Sequence, residues 1–156
     1  MKTTTSNEEL KAKESLIENS WCKVPRVSFY YKKNTIRIAF YSLYCLGLPV
    51  YIRFLVNPEK KQFAVQASGK DDLTALKVDY LHQSEVRMRH VSALLVHQLF
   101  EMGNWNKKFI YRIEGKHIPK HNMVVFNLDE AVNASFKSTR ERDGDDEEWM
   151  NKQILV

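Results

Sequence analysis

VSFYYKKNTIRIAF, residues 27–40, is the stretch from which the fold is read. Val27, Phe29 and Tyr31 alternate with Ser28 and Tyr30. Lys32-Lys33-Asn34 supplies turn residues, and Ile36, Ile38 and Phe40 then alternate with Arg37 and Ala39. Side chains along a strand point to opposite faces with a period of two, so each half has one apolar face and the pair predicts a β-hairpin. Tyr41–Leu46 fits a short helical turn that stops at Gly47, with Pro49 barring its continuation. The next segment, VYIRFLVNPEKKQFAVQA at 50–67, predicts a second hairpin. Its two apolar runs flank Asn57-Pro58-Glu59-Lys60-Lys61, where Pro58 suits the second position of a type I turn.

Further along, Gly69, Asp71 and Asp72 mark a loop before a short strand expected at Val78–Leu81. Ser92 can cap ALLVHQLFEM, whose Leu95, Val96, Leu99, Phe100 and Met102 make a broad apolar helical face ending at Gly103. Arg87 and Arg89 lead into this helix. Phe109, Tyr111 and Ile113 alternate as a strand, 115–122 turn, Met123–Phe126 form another strand, and Asn127 can cap a last short helix, LDEAVNA. IRIAF-YSLYCLG and MVVF-NLDEAV share a strand ending in Phe that runs straight into a short helix, a weak internal echo. The expected fold is therefore α+β: a small antiparallel or mixed sheet of hairpins with one main helix and short strand-to-helix units.

The 156 residues suit one domain, expected over 24–134, and a 44% apolar share is enough for a core. Residues 1–23 predict a helix or flexible arm, in which the helix-forming run 8–19 has Leu10, Leu16 and Ile17 as its large apolar positions. Residues 135–156 predict a charged tail without fixed structure, in which Trp149 can anchor a partner. Cys22 and Cys45 are too few for a disulfide framework, residues 1–19 lack the pattern of a signal peptide, and the longest uncharged run, 38–52, is too short for a bilayer span. A cytoplasmic protein with no membrane contact is expected.

The net charge of +5 is unevenly spread. Residues 1–20 hold three Lys against four Glu, residues 21–133 hold 17 basic against nine acidic side chains, and residues 134–156 hold four against six. A core this basic favours nucleic acid or an acidic protein surface.

Few residues suggest catalysis. No HExxH motif, Cys/His cluster, CxxC pair, GxSxG, P-loop or dinucleotide fingerprint is present, so the expectation is no enzyme, no metal and no cofactor. Glu114-Gly115-Lys116, with Asp71, Asp72 and Asp79 upstream, is the one nuclease-like pattern; such sites hold Mg²⁺ beside a scissile phosphate. Basic residues interleaved with aromatics say more. Arg37, Arg53 and Arg112 fall at polar positions of predicted strands, Lys60 and Lys61 lie in a hairpin loop, and Lys107 and Lys108 follow Trp105. With Arg87 and Arg89 these are the candidate nucleic-acid or partner-binding residues, provided the fold gathers them.

Two resemblances bear on function. From Tyr31 to Ala67 the order is strand, strand, short helix ending in Leu-Gly, then hairpin, carried by NTIRIAFYSLYCLGLPVYIRFLVNPEKKQFAVQA. This resembles the swapped-hairpin module of AbrB-type DNA-binding regulators, without their Gly-Arg-hydrophobic-Pro signature. From Val27 to Val132, VYIRFLVNPEKKQFAVQ, FEMGNW and FIYRIEG…MVVFNLDEA resemble small proteins carried by mobile elements of gut Gram-positive bacteria. That group includes anti-CRISPR inhibitors of the type II effector nuclease. The second resemblance implies a non-enzymatic inhibitor whose partner is the CRISPR effector nuclease or its guide complex. The first implies a regulator bound to double-stranded DNA, and a homodimer is compatible with either. The acidic run Asp143, Asp145, Asp146, Glu147 and Glu148 is the one candidate DNA mimic.

Overall fold

The computed structural model describes residues 23–80 and 87–136. The fold is α+β with antiparallel hairpins and one main helix, as the sequence predicts, and among the described residues ten strands divide between two antiparallel five-stranded sheets. In chain order the elements are β1 (Arg26–Tyr30), β2 (Thr35–Ala39), α1 (Phe40–Cys45), β3 (Tyr51–Asn57), β4 (Gln62–Ser68), β5 (Leu76–Lys77), β6 (Arg87–Val91), α2 (Ala93–Gly103), β7 (Ile110–Glu114), β8 (Lys116–Ile118), β9 (Met123–Asn127) and β10 (Val132–Asn133). Sheet A has the order β10-β7-β1-β2-β6, and sheet B the order β5-β3-β4-β9-β8.

The two predicted hairpins form. In the first, Asn34 takes a left-handed conformation (φ 51°) and its N–H donates to Tyr31 O at 3.0 Å, closing the turn. In the second, Lys61 N–H donates to Pro58 O at 3.4 Å, so Pro58 opens the turn instead of occupying its second position, and Asn57 Oδ1 accepts the Lys60 N–H. Lys61, at φ 52°, carries the left-handed turn that returns the chain to β4.

α1 and α2 end by one device. Leu48 N–H reaches Leu43 O and Gly47 N–H reaches Tyr44 O; Trp105 N–H reaches Phe100 O and Asn104 N–H reaches Glu101 O. These are the paired bonds of a Schellman motif, with Gly47 (φ 80°) and Asn104 (φ 52°) as the left-handed residues. Gly103 is therefore not the terminator the sequence suggests. It is the last helical residue, and a Cβ there would lie 2.5 Å from the Trp105 ring, so its lack of a side chain makes room for the indole. At the other end Ser92 caps α2 as predicted, its Oγ accepting from Leu95 N–H.

The departures lie where pairing is remote. Arg87–Val91, expected only to lead into α2, form β6 on the edge of sheet A beside β2. The strand expected at Val78–Leu81 is instead β5 at Leu76–Lys77, with Leu81 outside the described residues. The expected turn at 115–122 contains β8 and a 3-10 turn, and the chain crosses from sheet A to sheet B at Gly115. A Cβ there would meet the Phe126 ring at 2.5 Å. LDEAVNA is no helix: 3-10 turns at Leu128–Glu130 and Ala134–Phe136 flank β10, and Asn127 makes no side-chain cap. Ser135, just past the expected domain limit, is buried, and its Oγ accepts from Ile110 N–H at 2.6 Å. The expected arm and most of the expected tail, 1–22 and 137–156, lie outside the described residues.

One core joins the two sheets. Val27, Phe29, Ile36, Ile38, Met88 and Ile113 from sheet A meet Ile52, Phe63, Val65, Val124 and Phe126 from sheet B, with Val96, Leu99 and Phe100 of α2 closing the cluster. Leu99 is fully buried, Leu95 only partly, and Leu94 is 84% exposed. Leu99→Ala should cost about 2–5 kcal/mol through the cavity it leaves, and Leu94→Ala under about 0.5 kcal/mol. Chemical denaturation of the two variants checks this ordering.

Candidate functional site

The inward half of sheet A is fixed by the core, so the alternate residues must face the other way. Register places Val132, Arg112, Ser28, Arg37 and Arg89 in a single row across five strands: Val132 pairs with Arg112, Arg112 with Ser28, Ser28 with Arg37, and Arg37 with Arg89. Neighbouring strands are about 4.8 Å apart, so the three arginines span roughly 14 Å along one line. In the next row Arg26 pairs with Glu114, and Ala39 with Arg87. Of the sequence candidates, Arg37, Arg89 and Arg112 thus converge on one face of one sheet, and Arg87 stands two positions along β6 from Arg89.

Local chemistry holds this face in place. Ser42, buried on α1, accepts from the Arg26 N–H at 2.9 Å and donates to its carbonyl at 3.2 Å, pinning the start of β1. Arg26 Nη2 bonds Glu114 Oε2 at 3.2 Å, an ion pair that offsets one positive charge at this end. On the opposite side the arginine row is bordered by Ile110, Tyr30, Thr35 and Val91. Ala134 packs on Tyr30 and Ile110 in a small second cluster. Burial pushes the Tyr30 phenol above its ordinary pKa, while Arg37 pulls it back. Arg37 and Arg89 stand directly opposite, an arrangement that disfavours folding by about 1 kcal/mol at 4 Å in a water-like dielectric.

The remaining candidates lie elsewhere. Arg53 is on sheet B and is already engaged: its Nε donates to Gln66 Oε1 at 2.9 Å and its Nη1 to Asp72 Oδ2 at 3.1 Å. Lys60 and Lys61 are exposed at the tip of the β3–β4 hairpin, where Lys61 Nζ lies 4.0 Å from Asp129. Lys107 and Lys108 occupy the α2–β7 loop, with Lys107 Nζ 5.3 Å from the centroid of the Tyr31 ring, next to the turn that carries Lys32 and Lys33. Trp105 is half-buried, stacked on Tyr111 at 4.9 Å and packed against Phe29 and Phe100, so its ring serves the core. Sequence reasoning missed Arg26, whose alternation with Ser28 along β1 was the available signal.

The nuclease-like residues are not brought together. Glu114 and Lys116 line an open cleft of about 300 Å³ with Asn127 and Glu130, whereas Asp72 is held beside β3, across β4 and β9 from β8. Among the described residues no group of three or more His, Cys, Asp or Glu can hold a metal ion. His90 lies on β6 against Phe54 and His97 on α2, stacked on Tyr31, so the two share no helix face. Cys45 is half-buried, and burial pushes its thiol pKa up. No described helix is long and apolar enough to cross a membrane. Comparison with family models, with known proteins and with solved structures yields no match.

The Asp72 carboxyl is held well below the usual carboxylate range. The Thr74 hydroxyl and N–H, then the Ser68 hydroxyl and Arg53, lower it from 3.8 to about 2. A carboxylate with a depressed folded pKa adds stability that is fully present above its unfolded value and is lost as pH falls through the folded one. Stability should therefore decline as pH drops from about 4 to about 2, and Asp72→Asn should flatten that limb, measured by thermal melts across pH.

Proposed function

We propose that this protein is a non-enzymatic binding protein whose sheet A receives the phosphate backbone of a nucleic acid. The observation that carries this reading is the cross-strand row Arg112–Ser28–Arg37–Arg89, flanked by Arg26. Arginine is always charged, and its planar fork bonds phosphate oxygens in pairs, so a row at strand spacing suits a linear array of phosphates better than one isolated anion. No base-reading motif accompanies the row, so contacts of this kind set affinity and register without specifying sequence. Both expected partner classes offer this chemistry. A type II CRISPR effector presents guide and target strands to an inhibitor, and a DNA regulator meets a free duplex.

Anisotropy of a labelled 20-base-pair duplex, titrated at several salt concentrations, tests the reading. Combining Arg37→Gln, Arg89→Gln and Arg112→Gln should weaken binding and lower the salt slope by about 0.9 for each phosphate that is no longer neutralised. Lys60→Gln with Lys61→Gln, at the far hairpin tip, should change both little. An unchanged slope in a folded triple variant would sink the phosphate reading. Inhibition of effector cleavage that vanishes with the same three substitutions supports the CRISPR-effector partner, whereas duplex binding without inhibition supports the DNA regulator.

A further inference from the structure

We infer that the acidic segment 141–148 of this chain docks on the arginine face of sheet A and competes there with nucleic acid, an inference that rests on the phosphate reading of that face. Charge complementarity is the first support. Residues 141–148, Glu-Arg-Asp-Gly-Asp-Asp-Glu-Glu, carry six carboxylates against one guanidinium, while among the described residues the register puts Arg26, Arg37, Arg89 and Arg112 on this face with Glu114. The second is where the described chain ends. Ala134 covers Tyr30 and Ile110, which border the arginine row on the same side of the sheet, and the Ser135 hydroxyl ties this end to β7. The described chain therefore ends beside the arginines and not at the sheet B hairpin tip that carries Lys60 and Lys61.

Length is the third support. From Phe136 to Asp143 the chain spans seven residues, enough to reach about 23 Å when extended, against the roughly 14 Å from β7 to β6. A segment tethered this closely is held near its target at an effective concentration in the millimolar range, so even weak charge pairing competes with dilute nucleic acid. Carboxylates spaced along an extended chain accept from guanidinium forks in the same bidentate manner as phosphates. A docked segment would favour long or concentrated polyanions over short ones.

The test uses the full chain and a full-length variant carrying Asp143→Asn, Asp145→Asn, Asp146→Asn, Glu147→Gln and Glu148→Gln. Without nucleic acid, at low salt, the amide resonances of Ser28, Arg37, Arg89 and Arg112 should differ between the two, while those of Leu55 and Ala64 on sheet B coincide. Identical resonances on sheet A overturn the inference whether or not either chain binds DNA. The neutralised chain should also bind the 20-base-pair duplex about tenfold more tightly, the advantage expected from removing a tethered competitor. Shifted resonances with equal duplex affinity overturn the competition. Shifted resonances with no duplex binding by either chain leave the docking in place and remove the phosphate reading instead.

Discussion

Phe29 of β1 meets Phe63 of β4 edge to face, ring centroids 5.3 Å apart, and through this contact the two sheets become one body. Each ring passes the contact on: Phe29 to Trp105, Phe63 to Phe54 and Phe126. Edge-to-face pairs add about 0.5–1.5 kcal/mol beyond the apolar area they bury, and they fix relative orientation, which area alone does not. With Phe29 committed to the interior, strand alternation leaves Ser28 no choice of face, and the antiparallel register then carries Arg37, Arg89 and Arg112 to the same side. A slip of one residue along β1 would expose Phe29 and bury the serine row. The arrangement of the basic surface is thus a consequence of core packing, and any change that loosens the aromatic joint reaches the arginines.

The parts of this architecture that depend on neighbours in sequence were legible. Alternation around Lys32-Lys33-Asn34 and around Asn57–Lys61 specifies the two hairpins, and Ser92 with its apolar stripe specifies α2, because both signals are local. Remote pairings leave no such trace. β7 lies beside β1, pairing Tyr30 with Ile110, and β6 reads Arg-Met-Arg-His-Val, too charged to suggest a strand until β2 is seen to flank it. The candidate site was scattered in the sequence for the same reason. Arg53 and Arg37 occupy equivalent polar positions in their strands, yet sheet order puts one in a closed network with Asp72 and the other in the row. Arg112, Arg37 and Arg89 meet only because β7 and β6 find β1 and β2.

Charged residues near a sheet edge have a simpler use, since they discourage edge-to-edge pairing with other molecules. That use accounts for Arg87 and Arg89, which lie on β6, the edge strand of sheet A. It does not account for Arg37 or Arg112, on strands hydrogen-bonded along both sides, where no edge needs protecting. Interior strands favour β-branched and aromatic side chains, and Arg37 directly opposite Arg89 works against stability. Solubility would be met as well by lysine and glutamate interspersed, as in the β3–β4 hairpin tip with Glu59, Lys60 and Lys61. Arg37 and Arg112 thus stand on inner strands of a face whose one described ion pair is Arg26–Glu114, and the polyanion proposed above is a use for them that edge protection does not supply.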